Sequence, residues 1–88
     1  MTDARWELRY APRARRDLRR LDQQIRTRVI LTLDRLASDD EAVDVKRLSG
    51  SDEQRLRVGD WRVRFSRDAQ TRTIVVLRIL PRGRAYDR

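Results

Sequence analysis

The sequence predicts an α+β domain in which an antiparallel β-sheet carries an N-terminal helical hairpin on one face, with the element order β-α-α-β-β-β. Three observations indicate this class. Alternating apolar and polar side chains, typical of half-buried strands, occur in the segments 6–10, 54–58 and 61–66. Apolar residues recur at helical spacing within 12–37. The segment 73–80 is almost continuously apolar and β-branched, as interior strands are.

Particular residues of the helical region mark where its helices begin. Pro12 suits the first position of a helix, where its missing N–H group leaves no hydrogen bond unmade. Asp22 is a residue type preferred at the N-cap, so we place the start of a second helix there. The apolar stripe of that helix is predicted to comprise Ile25, Val29, Leu33 and Leu36, widened by Ile30 and Ala37. We therefore predict two helices within 12–37, separated by a tight break near Asp22.

The second half of the chain predicts a three-strand meander. A short extended piece is expected at 45–48, before the first of these strands. Gly59 and Asp60 form a two-residue turn, with glycine first as a type II′ hairpin prefers. We expect the strand 73–80 at the centre of the sheet with both faces covered, and a polar, basic tail without a helix at 81–88. Residues 1–88 should then form one domain with one modest core.

The two-residue turn determines which residues face each other in the hairpin. The predicted cross-strand pairs are Val58–Trp61, Arg57–Arg62, Leu56–Val63 and Arg55–Arg64. One face is then apolar and suits the core, while the other carries four arginines, paired like against like. Opposed like charges destabilise a sheet, and cross-strand pairs matter at roughly 0.2–1 kcal/mol each. We therefore interpret the arginine face as a binding site for a polyanion, and RNA as the polyanion.

The distribution of charge supports this interpretation. The net charge is +8, yet residues 1–45 contain 10 basic and 9 acidic side chains, whereas residues 46–88 contain 12 basic and 5 acidic ones. All basic residues except Lys46 are arginines, whose planar fork of donors suits phosphate bidentately. The arginines of the first helix are mixed with Asp17, and we interpret that surface as simply solvated.

Composition excludes several classes of site. The chain has no cysteine and no histidine, which rules out disulfides, thiolate metal sites and histidine as a general base. We predict no metal and no cofactor, and we interpret the acidic segment 39–44 as the solvated end of the second helix rather than a magnesium site. No apolar run approaches the roughly 20 residues of a membrane span, and the N-terminus lacks the apolar core of a signal peptide. We therefore expect a cytoplasmic protein without membrane contact.

Four segments make the chain resemble the RelE/ParE superfamily of bacterial toxins, which belong to type II toxin–antitoxin pairs, and RelE more than ParE. The segments are 14–22 in the first helix, 46–50, 55–63 and 82–86. The run Arg-Leu-Arg-Val-Gly-Asp-Trp-Arg-Val at 55–63 is the specific one. The resemblance covers nearly the whole chain and implies a RelE-like α+β toxin.

The resemblance implies a metal-independent endoribonuclease that cuts mRNA on the ribosome and so inhibits translation. In this family the RNA 2′-hydroxyl attacks the adjacent phosphate, which basic side chains hold. Carried over by position, Arg62 looks like the transition-state arginine. Arg82, with Arg84 as the alternate, looks like the residue that protonates the leaving oxygen, and Tyr86 like the tyrosine that acts as base or stacking group. The residues expected to bind RNA are Arg55, Arg57, Arg64 and Lys46.

The sequence departs from the family pattern at one position and leaves alternatives open. Glu53 stands where the best-studied branch has a second lysine, so Lys46 or Arg57 would have to supply that role. The resemblance also implies an acidic antitoxin that covers the basic face, with operator DNA contacted only through that antitoxin. Two alternatives to the ribonuclease are a ParE-type inhibitor of DNA gyrase and a degenerate toxin that only binds its antitoxin.

Overall fold

Two helices and five strands make up the part of the chain that the computed structural model describes, residues 5–47 and 52–81. The elements are β1 (Glu7–Tyr10), α1 (Pro12–Arg20), α2 (Gln23–Ala37), β2 (Asp44–Arg47), β3 (Glu53–Val58), β4 (Trp61–Asp68) and β5 (Thr73–Pro81). The α+β class and the helical hairpin are as predicted. The short extended piece expected from residue 45 is a strand of the sheet, β2, so the described sheet has one strand more than the predicted order.

The sheet has the strand order β1-β5-β4-β3-β2. Neighbours from β2 to β5 are antiparallel, but β1 pairs with β5 in parallel, with Glu7 opposite Thr73 and Tyr10 opposite Val76. The sheet is thus mixed rather than wholly antiparallel. Alternation along a strand reports which side chains are buried, but not which strand lies beside it or in which direction. The pattern of β1 therefore carried no signal for its parallel partner.

The β3–β4 hairpin has the predicted register, with Val58 opposite Trp61 and the other pairs following from it. Gly59 has φ +57°, whereas Asp60 lies outside the positive-φ region. This is the combination that a type II′ turn requires at its two central positions, so a glycine is needed at the first of them.

β5 differs from its prediction in two respects. It is an interior strand, but β4 occupies the centre of the sheet because β3 and β2 lie beyond it. Ile74, Val76 and Ile79 are buried, whereas Val75 and Leu80 are half-exposed. The helical hairpin covers one face of this strand, and the other face is only partly shielded. The prediction that both faces of this strand are covered was therefore wrong for the face opposite the helices.

The helical hairpin begins at Pro12 and divides at Asp22, as predicted. Asp22 occupies the N-cap position of α2, but its side chain makes no capping hydrogen bond. Val29 and Leu33 are fully buried, whereas Ile30 is 42% exposed and does not belong to the buried stripe. Successive residues of an α-helix differ by about 100° around its axis, which turns Ile30 away from the side that Val29 and Leu33 share.

The buried apolar side chains form a cluster between the helices and the sheet. Its largest fully buried members are Phe65, Leu33, Leu56, Ile74, Val29, Val63 and Val76. Burying a side chain of this kind contributes roughly 1.5–3 kcal/mol, so this cluster is the main source of stability. Within residues 5–47 and 52–81, no helix is both long enough and apolar enough to cross a membrane.

Candidate functional site

The arginines predicted for the hairpin lie on the sheet face opposite the helices, in two rows across the strands. Residues that are partners in register place their side chains on the same face of a sheet. The first row, from β2 to β5, is Asp44, Arg57, Arg62 and Leu80. The second row is Lys46, Arg55, Arg64 and Arg78. The structure therefore brings five of the predicted site residues onto one surface, namely Arg55, Arg57, Arg62, Arg64 and Lys46.

Arg62 is the most deeply buried of these arginines. Only 5% of its surface is exposed, and no other polar or charged residue among those described is buried. It lines a small pocket of about 70 Å³ with Asp44, Lys46, Arg55 and Arg57. Four cationic side chains and one carboxylate therefore surround this pocket, and their combined field favours an anion inside it. Lys46 and Arg57 are exposed at its mouth and Arg55 is half-buried.

Arg64 has a carboxylate partner on the same face. Its Nη2 atom lies 2.5 Å from both Oε1 and Oε2 of Glu53, and the Glu53 side chain is only 20% exposed. Glu53 is the residue that departs from the family pattern. Because a charge-assisted bond of this kind holds the guanidinium in place, the structure joins Arg64 to Glu53 rather than directing it at the pocket around Arg62.

Arg78, the partner of Arg64 in register, is held by α1. Its Nε atom donates to Oδ2 of Asp17 at 2.9 Å, and the backbone N–H of Ile79 donates to the same oxygen at 2.9 Å. β1 ends opposite Val76, so Asp17 receives a donor from the edge of β5 that β1 leaves open. Burial is the largest single influence on the pKa of Asp17 and opposes its ionisation. The hydrogen bonds from Arg78 and Ile79 and the nearby positive charges outweigh burial and lower that pKa.

Three predicted site residues, Arg82, Arg84 and Tyr86, lie outside the described residues, so their roles stay predictions. The last described residue of β5 is Pro81, opposite Trp61, and the residue before it, Leu80, lies opposite Arg62. The described chain therefore ends beside the row that contains Arg62.

The acidic segment at the end of α2 makes structural contacts. Asp39 accepts a hydrogen bond from Trp6 Nε1 at 3.0 Å and one from Arg72 at 3.3 Å. Asp40 accepts hydrogen bonds from the backbone N–H of Ala42 at 2.9 Å and from Arg35 Nε at 2.8 Å. Both bonds lower the pKa of Asp40, and the bond from Ala42 has the larger effect. In the described part of the chain, no group of three or more acidic side chains is arranged to hold a metal ion.

Sequence reasoning missed three residues of this surface, namely Asp44, Glu53 as a partner of Arg64, and Arg78. Asp44 and Lys46 are two residues apart in β2, so their side chains lie on the same face of the sheet. Recognising β2 as a strand would therefore have placed Asp44 on the arginine face. The role of Arg78 could not be found in this way. A break in the alternation between Arg64 and Phe65 shifts the register against β5, and only the paired strands show it.

Comparisons with solved structures support the fold. One chain of an archaeal RelE–RelB complex from Pyrococcus horikoshii is 28% identical, with a TM-score of 0.78, covering 90% of this chain and 97% of the other. One chain of the RelBE2 toxin–antitoxin complex from Mycobacterium tuberculosis is 25% identical, with a TM-score of 0.75, covering 89% and 99%. The Escherichia coli RelBE complex, at 22% identity and a TM-score of 0.69 over 86% and 95%, supports the fold alone. No curated protein sequence matches the chain.

A family model described as the ParE toxin of type II toxin–antitoxin systems, parDE, matches residues 8–86. That range includes both helices, the whole hairpin and the C-terminal segment with Arg82, Arg84 and Tyr86. The resemblance to the RelE/ParE superfamily is therefore confirmed over nearly the full sequence. The chain belongs to the ParE toxin family, within the RelE/ParE superfamily of type II toxin–antitoxin toxins.

Proposed function

We propose that this toxin is a ribosome-dependent, metal-independent endoribonuclease that cuts mRNA and thereby inhibits translation in the cytoplasm. One observation carries the proposal, namely the buried position of Arg62 in a pocket with Lys46, Arg55 and Arg57. Four cationic side chains outnumber the one carboxylate of the lining, Asp44, so the field of the pocket attracts an anion. The phosphate that joins two nucleotides suits the pocket, because guanidinium groups bind its oxygens through paired hydrogen bonds.

In the proposed reaction, the 2′-hydroxyl of the RNA loses its proton and its oxygen forms a bond to the adjacent phosphorus. The bond from that phosphorus to the 5′ oxygen of the next nucleotide breaks, and this oxygen takes up a proton. The products are a 2′,3′-cyclic phosphate and a 5′-hydroxyl. Arg62 would stabilise the negative charge that develops on the phosphate oxygens. The family resemblance supports Tyr86 as base or stacking group, and Arg82 or Arg84 as the acid.

The proposed site has no strong acid, and this limits the rate at which it can cut RNA. Arginine side chains stay protonated at neutral pH and are poor proton donors, so positioning and charge stabilisation would supply most of the acceleration. We therefore expect slow cleavage of free RNA and much faster cleavage when the ribosome holds the mRNA in position. Rapid cleavage of free RNA without ribosomes would contradict this part of the proposal.

The proposal is tested by producing the toxin without its antitoxin and mapping the ends of cellular mRNA. New 5′-hydroxyl ends within codons held on the ribosome are expected. They should be absent when Arg62 is replaced by alanine, provided that the variant keeps the wild-type circular dichroism spectrum. Intact mRNA in cells that stop growing would overturn the proposal.

A second candidate is inhibition of DNA gyrase. The match of residues 8–86 to a ParE family model favours it. This activity would require no chemistry at Arg62 and would leave mRNA intact. Gyrase-dependent DNA breaks in the same cells, unchanged by Arg62→Ala, would support this candidate and exclude the ribonuclease.

We also propose that an acidic antitoxin neutralises the toxin by covering the basic face of the sheet. Two features support such a partner. Matched chains come from toxin–antitoxin complexes, and β2 is an edge strand of the sheet formed by the described residues, to which an extended segment could be added. An excess of the antitoxin should abolish RNA binding at the pocket, which a competition experiment with a labelled RNA oligonucleotide would measure. Simultaneous binding of both would contradict the proposed location.

A further inference from the structure

A second basic surface lies on α1, at the other side of the sheet from β2. It consists of five exposed side chains within nine residues, which we name the α1 arginine surface: Arg13, Arg15, Arg16, Arg19 and Arg20. Among residues 5–47 and 52–81, none of the five forms an ion pair. Asp17 lies among these arginines in the sequence, but its carboxylate accepts hydrogen bonds from Arg78 and Ile79 of β5. Of the five arginines, only Arg13 contributes to lowering the pKa of Asp17.

This arrangement is unfavourable for an isolated helix. Arg16 has like charges three or four residues away on both sides, at Arg13, Arg19 and Arg20, and such pairs repel. The first turn of α1 has no acidic residue, so Arg13 and Arg15 stand near the positive end of the helix dipole. Only Arg19 and Arg20, in the last turn, are favourably placed. A bound polyanion would offset the repulsion among these arginines through its attraction to each of them.

The composition of the surface indicates which polyanion it suits. Protein interfaces have an apolar centre, whereas contacts to a nucleic-acid backbone do not require one. The exposed large apolar residues in the described ranges are Ile30 and Leu31, both on α2, and α1 has none. The arginines from Arg13 to Arg20 span about 10 Å along the helix, enough to contact more than one phosphate group.

We propose that the α1 arginine surface binds the phosphate backbone of double-stranded RNA, as a docking site separate from the pocket around Arg62. The choice of RNA over DNA rests on the function proposed above, in which the ribosome presents the substrate. The two sites would then have different tasks. The surface on α1 would hold structured RNA through its backbone, while the pocket on β2, β3 and β4 would receive the single strand that is cut.

The test compares two variants that each lose three positive charges. The first is Arg13→Gln/Arg16→Gln/Arg20→Gln, and the matched control is Arg28→Gln/Arg35→Gln/Arg47→Gln, which changes exposed arginines of α2 and β2. The probe is a short, fluorescently labelled RNA duplex, and its binding by the full chain is followed by fluorescence anisotropy over a range of salt concentrations. Glutamine is a good helix former, so both variants should fold.

We expect the α1 variant to lose most of its duplex affinity. The slope of log K against log salt should become smaller in magnitude by about 2 to 3, since each phosphate contact to duplex DNA contributes about −0.9. The control should bind nearly as the wild type does. Equal losses in both variants would mean that net charge alone matters and would overturn the proposal. Equal or tighter binding of a DNA duplex of the same sequence would overturn the assignment to RNA.

A further variant separates this inference from the proposed function. Arg62→Lys should bind the RNA duplex with wild-type affinity while its mRNA cleavage falls by about 100-fold. If mRNA proves intact in cells but the α1 variant still loses duplex binding, only the proposed catalytic function fails. If the α1 variant binds the duplex as well as the wild type does, the α1 site fails whatever the outcome for cleavage.

Discussion

At the scale of single residues, Arg62 differs from the other arginines of the sheet in its burial. Its neighbours in the two rows are exposed or half-exposed, whereas only 5% of Arg62 can be reached by solvent. Burial restricts the number of conformations that the side chain can adopt, so the guanidinium is held in place before a ligand arrives. Such preorganisation is what electrostatic stabilisation of a transition state needs.

Replacement of Arg62 by lysine tests whether the guanidinium itself is required. The ammonium group keeps the charge but presents a point instead of a planar fork, so paired hydrogen bonds to a phosphate are lost. We expect cleavage to fall by about 100-fold, comparable to loss of one transition-state donor. The control is Arg47→Lys on exposed β2, which should leave cleavage unchanged. Equal rates for wild type and Arg62→Lys would show that charge alone suffices.

Glu53 is the second residue whose role the structure clarifies. Its Oε1 atom lies 2.5 Å from Nη2 of Arg64, so one cation of the second row is neutralised by a carboxylate on the same face. The family's lysine at this position would have added a charge where this chain removes one. Glu53 therefore marks the limit of the strongly basic part of the face.

Glu53→Gln should release Arg64 for contact with RNA. We expect tighter binding of a single-stranded RNA oligonucleotide and a salt slope steeper by about 0.7, the value for one additional phosphate contact. Glu41→Gln, in the exposed loop after α2, changes the net charge equally and serves as the control. The slope is measured by fluorescence anisotropy. An identical gain in both variants would argue against a specific role for the pair of Glu53 and Arg64.

At the scale of elements, Asp17 joins α1 to the open edge of β5. The carboxylate satisfies both the Arg78 side chain and the Ile79 N–H, and it is 13% exposed. The first helix has few apolar contacts, because Ala14 is its one fully buried residue and Leu18 is only partly buried against the core. A polar contact therefore secures a short helix whose remaining surface is almost entirely arginine.

Asp17→Asn should destabilise the fold by about 1.5–3 kcal/mol at neutral pH, the range for a hydrogen bond to a charged group. The pKa of Asp17 is lowered in the folded protein, so its stabilisation is fully present above the unfolded pKa of about 3.9. It disappears as the pH falls through the folded pKa. The difference in the free energy of unfolding between the wild type and Asp17→Asn should therefore disappear on acidification, which urea unfolding at several pH values would measure.

Asp22→Asn is the matched control for that experiment. Asp22 is exposed at the N-cap of α2 and makes no side-chain capping bond, so its replacement should change the free energy of unfolding by less than about 0.5 kcal/mol. Similar losses for both variants, or a difference between wild type and Asp17→Asn that persists at low pH, would contradict the assigned role of Asp17.

At the scale of the whole molecule, the two basic surfaces lie towards opposite edges of the sheet. The pocket around Arg62 belongs to β2, β3 and β4, whereas the α1 arginine surface is on a helix that contacts β5 and β1. The carboxylates of Asp17 and Glu53 engage the cations between them, Arg78 and Arg64. Within residues 5–47 and 52–81, the pocket around Arg62 and the α1 arginine surface are therefore two separate basic regions.

Binding of single-stranded RNA should depend steeply on salt. Four cations line the pocket, and each phosphate contact to a single strand contributes about −0.7 to the slope of log K against log salt, so a slope near −3 is expected. Arg57→Gln, at the mouth of the pocket, should reduce its magnitude by about 0.7. Arg47→Gln, which lies in β2 but outside the pocket lining, should leave it unchanged. A slope near zero would mean that the pocket does not bind phosphate.

Much of this protein was determined by local sequence alone. The start of α1 at Pro12, the break at Asp22 and the register set by Gly59 and Asp60 all follow from short-range chemistry, and the structure confirms them. The family could also be identified from the run at 55–63, which combines the turn with the arginines on either side. These features need only neighbouring residues to be specified, so no tertiary information was required.

Tertiary structure alone decided which charges are available to a ligand. Arg62 and Arg57 alternate in the same way along their strands, yet one is buried and the other exposed. The sequence indicated no partner for Asp17 or Glu53, but the first contacts Arg78 and Ile79 of β5 and the second contacts Arg64. Periodicity specifies the face of an element, whereas the partner of a charge depends on which element packs beside it. For that reason the arginine face was predictable from the sequence, but its division into a pocket and neutralised pairs was not, and neither was the contact of Asp17 with β5.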